Sequence, residues 1–207
     1  LQRQFINQRL AANGEGKLSD AIKGISWADS HGARVMSNSW GGGEYNEALR
    51  DAISGSSALQ VFAAGNDSSN NDTTPAYPAS YHTSNMLVVA ATNRDDMLAG
   101  FSNYGANSVD LAAPGDDIWS TVPNNQYKSM RGTSMATPHV SGVAGLVASL
   151  YPQATNEEIK LRLLQGADKV EGWEQYVASG ARLNAHGALT VTPVPPAPPA
   201  SSLSSAV

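Results

Sequence analysis

The sequence predicts an α/β domain, a mainly parallel sheet flanked by helices. Two observations carry this. Segments with apolar residues at helical spacing alternate with short apolar segments of strand length along the 207 residues. The strand-like segments Leu59 to Ala64 and Met86 to Ala91 also read as near-continuous apolar runs rather than alternating. A strand reads that way when both of its faces are covered, as in a parallel sheet carrying helices on each side.

The elements follow in order. Gln4-Phe5-Ile6 reads as the end of a strand, and Ala12 to Gly16 as a loop. A helix is expected from Asp20 to His31, with Ser19 as its N-cap, Ala21, Ile22, Ile25 and Ala28 recurring at helical spacing, and Gly32 as its stop. Arg34 to Ser39 is a strand, broken by Gly41-Gly42-Gly43. A second helix carries Tyr45, Ala48, Leu49, Ala52 and Ile53 and ends at Gly55. The buried strand Leu59–Ala64 runs into Gly65-Asn66 and a polar loop from Asp67 to Thr74. Met86–Ala91 and Val109–Ala112 are further strands, the latter ending at Pro114-Gly115. Ile118–Val122 and Tyr127–Arg131 read as a hairpin around Pro123-Asn124-Asn125. An apolar helix follows through Val140–Leu150, and Thr155-Asn156-Glu157-Glu158 is a capping box for another, to about Gln165. From Thr192 the composition shifts to Pro, Ala and Ser, an extended linker expected to lead to a further domain.

Composition narrows the function classes. Charged residues make up 15% and the net charge is −5, with no basic cluster, so no nucleic-acid partner is expected. Cysteine is absent, which removes disulfides and thiolate metal sites. The longest apolar run, Val140–Leu150, is too short to span a bilayer. Leu1-Gln2-Arg3-Gln4 shows no signal-peptide pattern, and the expected biological start lies upstream of Leu1.

The chemistry concentrates in Gly132-Thr133-Ser134-Met135-Ala136-Thr137-Pro138-His139-Val140-Ser141-Gly142. A Gly-flanked Ser stands where an irregular segment becomes a helix. The first N–H groups of a helix lack internal partners and carry the positive end of its dipole, which favours developing negative charge. Pro138 is expected within the first turn, where a missing N–H costs little. A Ser before a helix often serves only as its cap. This segment, however, resembles almost letter for letter the nucleophile motif of the subtilisin-like serine proteases, and the resemblance makes Ser134 the nucleophile.

Asn66 follows a buried strand at its carboxyl end, where α/β sheets place ligands. Acyl transfer needs donors aimed at the oxyanion, and a side-chain amide can be one. Ala63-Ala64-Gly65-Asn66-Asp67 is similar to the segment carrying that Asn in the family; an Asn after Gly otherwise often makes turn hydrogen bonds. Ser39-Trp40-Gly41-Gly42 resembles the family's substrate-binding strand, with Gly65 facing it across the specificity pocket. There an extended peptide pairs with exposed backbone, and glycine lets it approach. Without the resemblance, a Gly-rich turn with Trp40 half-buried as packing reads equally well. Asp110, in Ser108-Val109-Asp110-Leu111-Ala112-Ala113-Pro114-Gly115, matches an Asp that in some members holds Ca²⁺ or Na⁺ with loop carbonyls near Ala79 and Tyr81. An Asp capping a turn is the alternative. The chemistry itself requires no cofactor. Tyr77-Pro78, in Pro75-Ala76-Tyr77-Pro78-Ala79, is expected to be cis because that segment resembles the family's pocket loop.

No histidine fits the base. His139 lies five residues beyond Ser134, about 140° around a helix. His31 closes the first helix, and His82 and His186 lie in loops. None sits in the family's His-Gly-Thr-His pattern, and no Asp sits in its Asp-Thr-Gly or Asp-Ser-Gly. The family's chain order is Asp, His, Ser. The triad Asp and His are therefore expected outside this chain, with residues 1–190 a partial peptidase domain whose N-terminal part is missing and 191–207 the linker. The function implied is a secreted serine endopeptidase acting on extended peptide or protein substrates. A degenerate, non-cutting peptide-binding module of the same family is the alternative. A hydrolase of the G-x-S-x-G type, with Asp168 and His186 completing a triad, requires a buried strand before Ser134, and Tyr127–Arg131 is too polar for one.

Overall fold

A computed structural model describes residues 16–195. The expected strand at Gln4–Ile6 lies outside that range, as does most of the loop before Gly16. Among the described residues six strands form one sheet: β1 (Val35–Asn38), β2 (Leu59–Ala63), β3 (Met86–Thr92), β4 (Leu111–Pro114), β7 (Asp168–Lys169) and β8 (Ala181–Arg182). Their order is β1-β2-β3-β4-β8-β7, parallel at each step except the last. The two-residue strands β7 and β8 carry no hydrophobic period of their own; they exist because β4 offers an edge. The hairpin β5 (Ile118–Val122) and β6 (Gln126–Met130) stands apart, pairing Ile118 with Met130 and Val122 with Gln126.

Period-2 alternation assigns the two faces. Leu59, Val61, Leu87, Val89, Leu111 and Ala113 point toward α3 (Thr133–Leu150) and α4 (Asn156–Gln165). Phe62, Met86, Val88, Ala90 and Ala112 point toward α1 (Leu18–Ser30) and α2 (Glu47–Ser54). Both faces are thus dry, as the apolar runs implied. Gln60 is the exception in its run. It is fully buried, and its amide oxygen accepts from Asn38 Nδ2 at 3.1 Å.

Helix ends show where local signals sufficed. α1 closes with Gly32 N–H on Asp29 O and Ala33 N–H on Ala28 O, both 3.0 Å, the double closure expected of a Gly stop. Its start differs: Lys17 is the cap, with no side-chain bond, and Ser19 lies inside the first turn. The buried stripe Ala21, Ile25 and Ala28 sets where the helix runs, so it continues past the serine. Asn46 caps α2, accepting from Leu49 N–H at 3.0 Å, which leaves Tyr45 outside the helix. Its ring packs edge-on against Tyr77 and Tyr81 instead. Thr155 caps α4 through Glu158 N–H at 3.1 Å, while the Glu158 carboxylate turns to Arg162 rather than back to the cap.

α3 buries Ala136, Val140, Val143, Ala144 and Val147 against the sheet. Each fully buried Val is worth about 1.5–3 kcal/mol, against about 1 kcal/mol lost at each helical glycine, so Gly142 and Gly145 are tolerated. Pro138 proves to be in the second turn, not the first, because the helix begins at Thr133. After α5 (Ala185–Thr190), the chain is held to α4: Arg162 Nη1 donates to Val191 O at 2.7 Å, and Gln165 exchanges two bonds with Val194. The first residues assigned to the linker are therefore docked.

Candidate active site

Ser134 is the second residue of α3 and is half-buried. The preceding Gly132 has φ +150°, which a side chain would strain, and its N–H donates to Gly115 O at 2.8 Å. That bond delivers the helix start to the carboxyl end of β4. Asn66 reaches the same point from the end of β2. Its Oδ1 accepts Thr133 N–H at 2.8 Å and the Thr133 hydroxyl at 3.1 Å. With the amide oxygen so engaged, the Asn66 NH₂ group faces outward. Asn66 Nδ2 and the Ser134 N–H donate to no acceptor among the described residues. Two unpartnered donors beside a hydroxyl can bind an oxyanion.

The loop behind Asn66 is pinned by a buried amide network. Asn103 Oδ1 accepts from Asp67 N–H at 2.8 Å and Ser69 N–H at 3.1 Å, and its Nδ2 donates to Asn71 Oδ1 at 3.0 Å. Asn71 in turn donates to Ala64 O at 2.9 Å. Gly65, at φ +118°, lets Asn103 lie against its backbone; a Cβ there would come within 2.4 Å of Asn103 Nδ2. Thr133, Asn71 and Asn103 escaped the sequence reading. Thr133 sits inside the recognised motif, but nothing local marks the two asparagines.

Ser39 follows β1, flanked by two anchors. Asn38 is buried and bonded to Gln60, and Trp40 Nε1 donates to Asn38 Oδ1 at 3.2 Å while its ring packs edge-on to Phe62. Trp40 is thus half-buried as packing. The backbone groups of Trp40 and Gly41 have no backbone partner among the described residues. Just beyond, Gly42 N–H donates to Tyr77 O at 3.2 Å, and Tyr77-Pro78 is cis, as expected. Ser39 Oγ donates to Ser134 O at 2.9 Å, and Ser134 Oγ lies 3.4 Å from Ser39 O.

No histidine among the described residues hydrogen-bonds to Ser134. His139 turns back to Met135 O at 2.8 Å, and His31 stacks on Trp27 at 3.9 Å between ring centres. His82, left-handed at φ 53°, ends a short 3₁₀ turn, and His186 lies in α5 rather than in a loop. Asp168 is bound to Arg182 and Asn184, and the segment before Ser134 is the exposed strand β6, which removes the G-x-S-x-G reading.

Asp110 Oδ2 accepts Val88 N–H at 2.7 Å, and Oδ1 lies 3.2 Å from the Lys160 ammonium, which also donates to Met86 O. This carboxylate is the one expected to take Ca²⁺ or Na⁺. A fixed ammonium already stands against the carboxylate, and a second cation would meet like charge. No group of three or more His, Asp or Glu side chains suited to a metal occurs among the described residues. No helix among them is long and apolar enough to cross a membrane.

Comparison with known proteins matches the description "Subtilase family" over residues 5–187. The chain is 43% identical to thermitase of Thermoactinomyces vulgaris over 86% of its own length and 61% of that protein. It is 42% identical to a thermophilic serine proteinase of Bacillus sp. (strain AK1), over 87% of this chain and 44% of that one. Subtilisin DY of Bacillus licheniformis is 39% identical, over 74% and 57% respectively. The chain thus spans between about two fifths and three fifths of these relatives.

Proposed function

The chain belongs to the subtilase family of serine proteases, and from that premise we propose that it carries the nucleophile and oxyanion portion of a secreted endopeptidase. Ser134 Oγ attacks the scissile carbonyl of an extended peptide. The tetrahedral oxyanion is held by Asn66 Nδ2 and the Ser134 N–H, and an acyl-enzyme on Ser134 is released by water. The strand end from Ser39 to Gly41, where Trp40 and Gly41 have backbone groups without backbone partners among the described residues, pairs with the peptide as an added strand, with Gly65 opposite. The general base and the Asp that orients it come from polypeptide outside this chain. The chemistry draws on side chains and backbone donors and calls for no cofactor.

The observation that supports this reading is Thr133 holding Asn66 Oδ1 by two bonds, while Asn66 Nδ2 and Ser134 N, neither donating to a described residue, both lie within 3.7 Å of where a side chain on Gly132 would stand. The test is labelling with a fluorophosphonate probe. Without a base the Ser134 hydroxyl keeps its ordinary high pKa, and losing the base of a subtilisin costs on the order of 10⁶ in turnover. Residues 1–207 alone are expected neither to label nor to cleave casein. Supplying the upstream segment, in cis or as a separate chain, restores labelling, and Ser134→Ala abolishes it. Labelling of the isolated chain would mean that His31, His82 or His186 acts as base. A complete polypeptide that binds peptides yet never labels would instead be a non-cutting module.

A further inference from the structure

In a helix beginning at Thr133, the N–H of residue 138 would bond to the carbonyl of residue 134. Residue 138 is proline and has no N–H, so the nucleophile's own carbonyl loses its helical partner. Ser39 Oγ donates to that carbonyl at 2.9 Å from a different element, the end of β1. The donor comes from a rigid place. Asn38 before it is locked to Gln60 within the core, and Trp40 after it is locked to Asn38 and Phe62. The return contact, Ser134 Oγ to Ser39 O at 3.4 Å, lies at the long limit of a hydrogen bond, so the nucleophilic hydroxyl is only loosely held at rest.

We infer that the Ser39 hydroxyl is a positioning residue for the nucleophile: it supplies the hydrogen bond that Pro138 withholds and so fixes the first turn of α3 on the substrate-binding strand. This rests on the reading of Ser134 as nucleophile. Its logic is that helix start and strand end must move as one. A peptide laid along Ser39–Gly41 and a hydroxyl on α3 meet productively only if the offset between the two elements is constant to a fraction of an ångström. A full helical bond at residue 138 would hold α3 to itself; the bond from Ser39 holds it to the strand.

The experiment uses the complete polypeptide with its upstream segment, a peptide amide substrate and a fluorophosphonate probe. Ser39→Ala is expected to lower kcat by roughly 5- to 10-fold with KM nearly unchanged, the scale of one lost hydrogen bond. Ser39→Thr, which keeps the hydroxyl, recovers most of the rate. Pro138→Ala returns an N–H to the Ser134 carbonyl, so the double variant Ser39→Ala/Pro138→Ala is expected to be faster than Ser39→Ala alone. A general packing defect at Ser39 would not be rescued by a residue on another element. A Ser39→Ala enzyme within twofold of the parent, or a double variant no faster than Ser39→Ala, overturns the inference while leaving the nucleophile in place. Absence of any Ser134 labelling in the parent overturns the nucleophile reading and this one with it.

Discussion

Thr133 and Asn66, separated by 67 positions in the chain, are joined twice: N–H and hydroxyl of the first both end on Oδ1 of the second. An amide whose oxygen is doubly engaged has only one orientation left for its NH₂ group. Asn66→Ala in the complete enzyme is expected to lower kcat by roughly 10²–10³-fold with little change in KM, the usual cost of one oxyanion donor, a value itself measured in a subtilisin. Thr133→Val keeps the N–H bond and loses the hydroxyl, and a smaller fall is expected. Steady-state kinetics on an amide substrate checks both, and an Asn66→Ala enzyme with parental kcat would refute the assignment.

Asn103 is the hub behind that amide. It is 1% exposed and satisfies two backbone N–H groups of the loop that follows Asn66. Asn103→Ala leaves both donors and Asn71 Oδ1 unpaired, which costs about 1–3 kcal/mol for each group stranded away from water. Thermal unfolding should move down by roughly 2–4 °C per kcal/mol at this chain length. Activity should fall further than stability explains, because the loop carries Asn66. A variant that loses stability but keeps its full turnover would uncouple the loop from the chemistry.

The Lys160 ammonium stands 3.2 Å from Asp110, the carboxylate expected from the sequence to hold a cation. The two side chains are 20% and 24% exposed, so the pair is partly screened and worth no more than about 1 kcal/mol. Lys160→Met removes the charge but keeps most of the stem. Unfolding temperature after chelation is expected to fall in this variant, and millimolar Ca²⁺ to restore part of the loss. The parent should be indifferent to Ca²⁺ at this site. Equal Ca²⁺ responses in both proteins would show that Lys160 does not stand in for the ion.

Acid sensitivity should have a source in Asp72. Burial raises its pKa, but donors from Ser108 and from Asn107 (backbone and side chain) outweigh that and leave it lowered. A carboxylate whose folded pKa is lowered contributes stability that is fully present above its unfolded value and is lost as pH falls through the folded one. Stability should therefore decline below roughly pH 4, with Asp72→Asn less stable near neutrality and showing a shallower decline. Urea unfolding between about pH 2.5 and 7 reads the difference, and parallel curves for parent and variant would exclude Asp72 as the source.

Local signals determined much of this protein from sequence alone. Gly32 and Thr155 closed and opened helices where they were expected to, because a cap depends on atoms within one turn of chain. The buried strands Leu59–Ala63 and Met86–Thr92 were legible because burial on both faces leaves a nearly continuous apolar run, Gln60 and Thr92 apart. Ser134 at a helix start and Asn66 at a strand end were legible through an unusually long motif. What the tertiary structure decided is how these pieces touch. Gln60 in the core, Lys160 on Asp110, Asn103 behind Asn66 and Ser39 on the Ser134 carbonyl each pair polar atoms far apart in the chain. Even the place of Pro138, one turn deeper than expected, followed from Gly115 and Asn66 fixing the start of α3. Helical and strand periods arise from neighbours a few residues away, whereas a polar atom finds its partner only once the registers of separate elements are set.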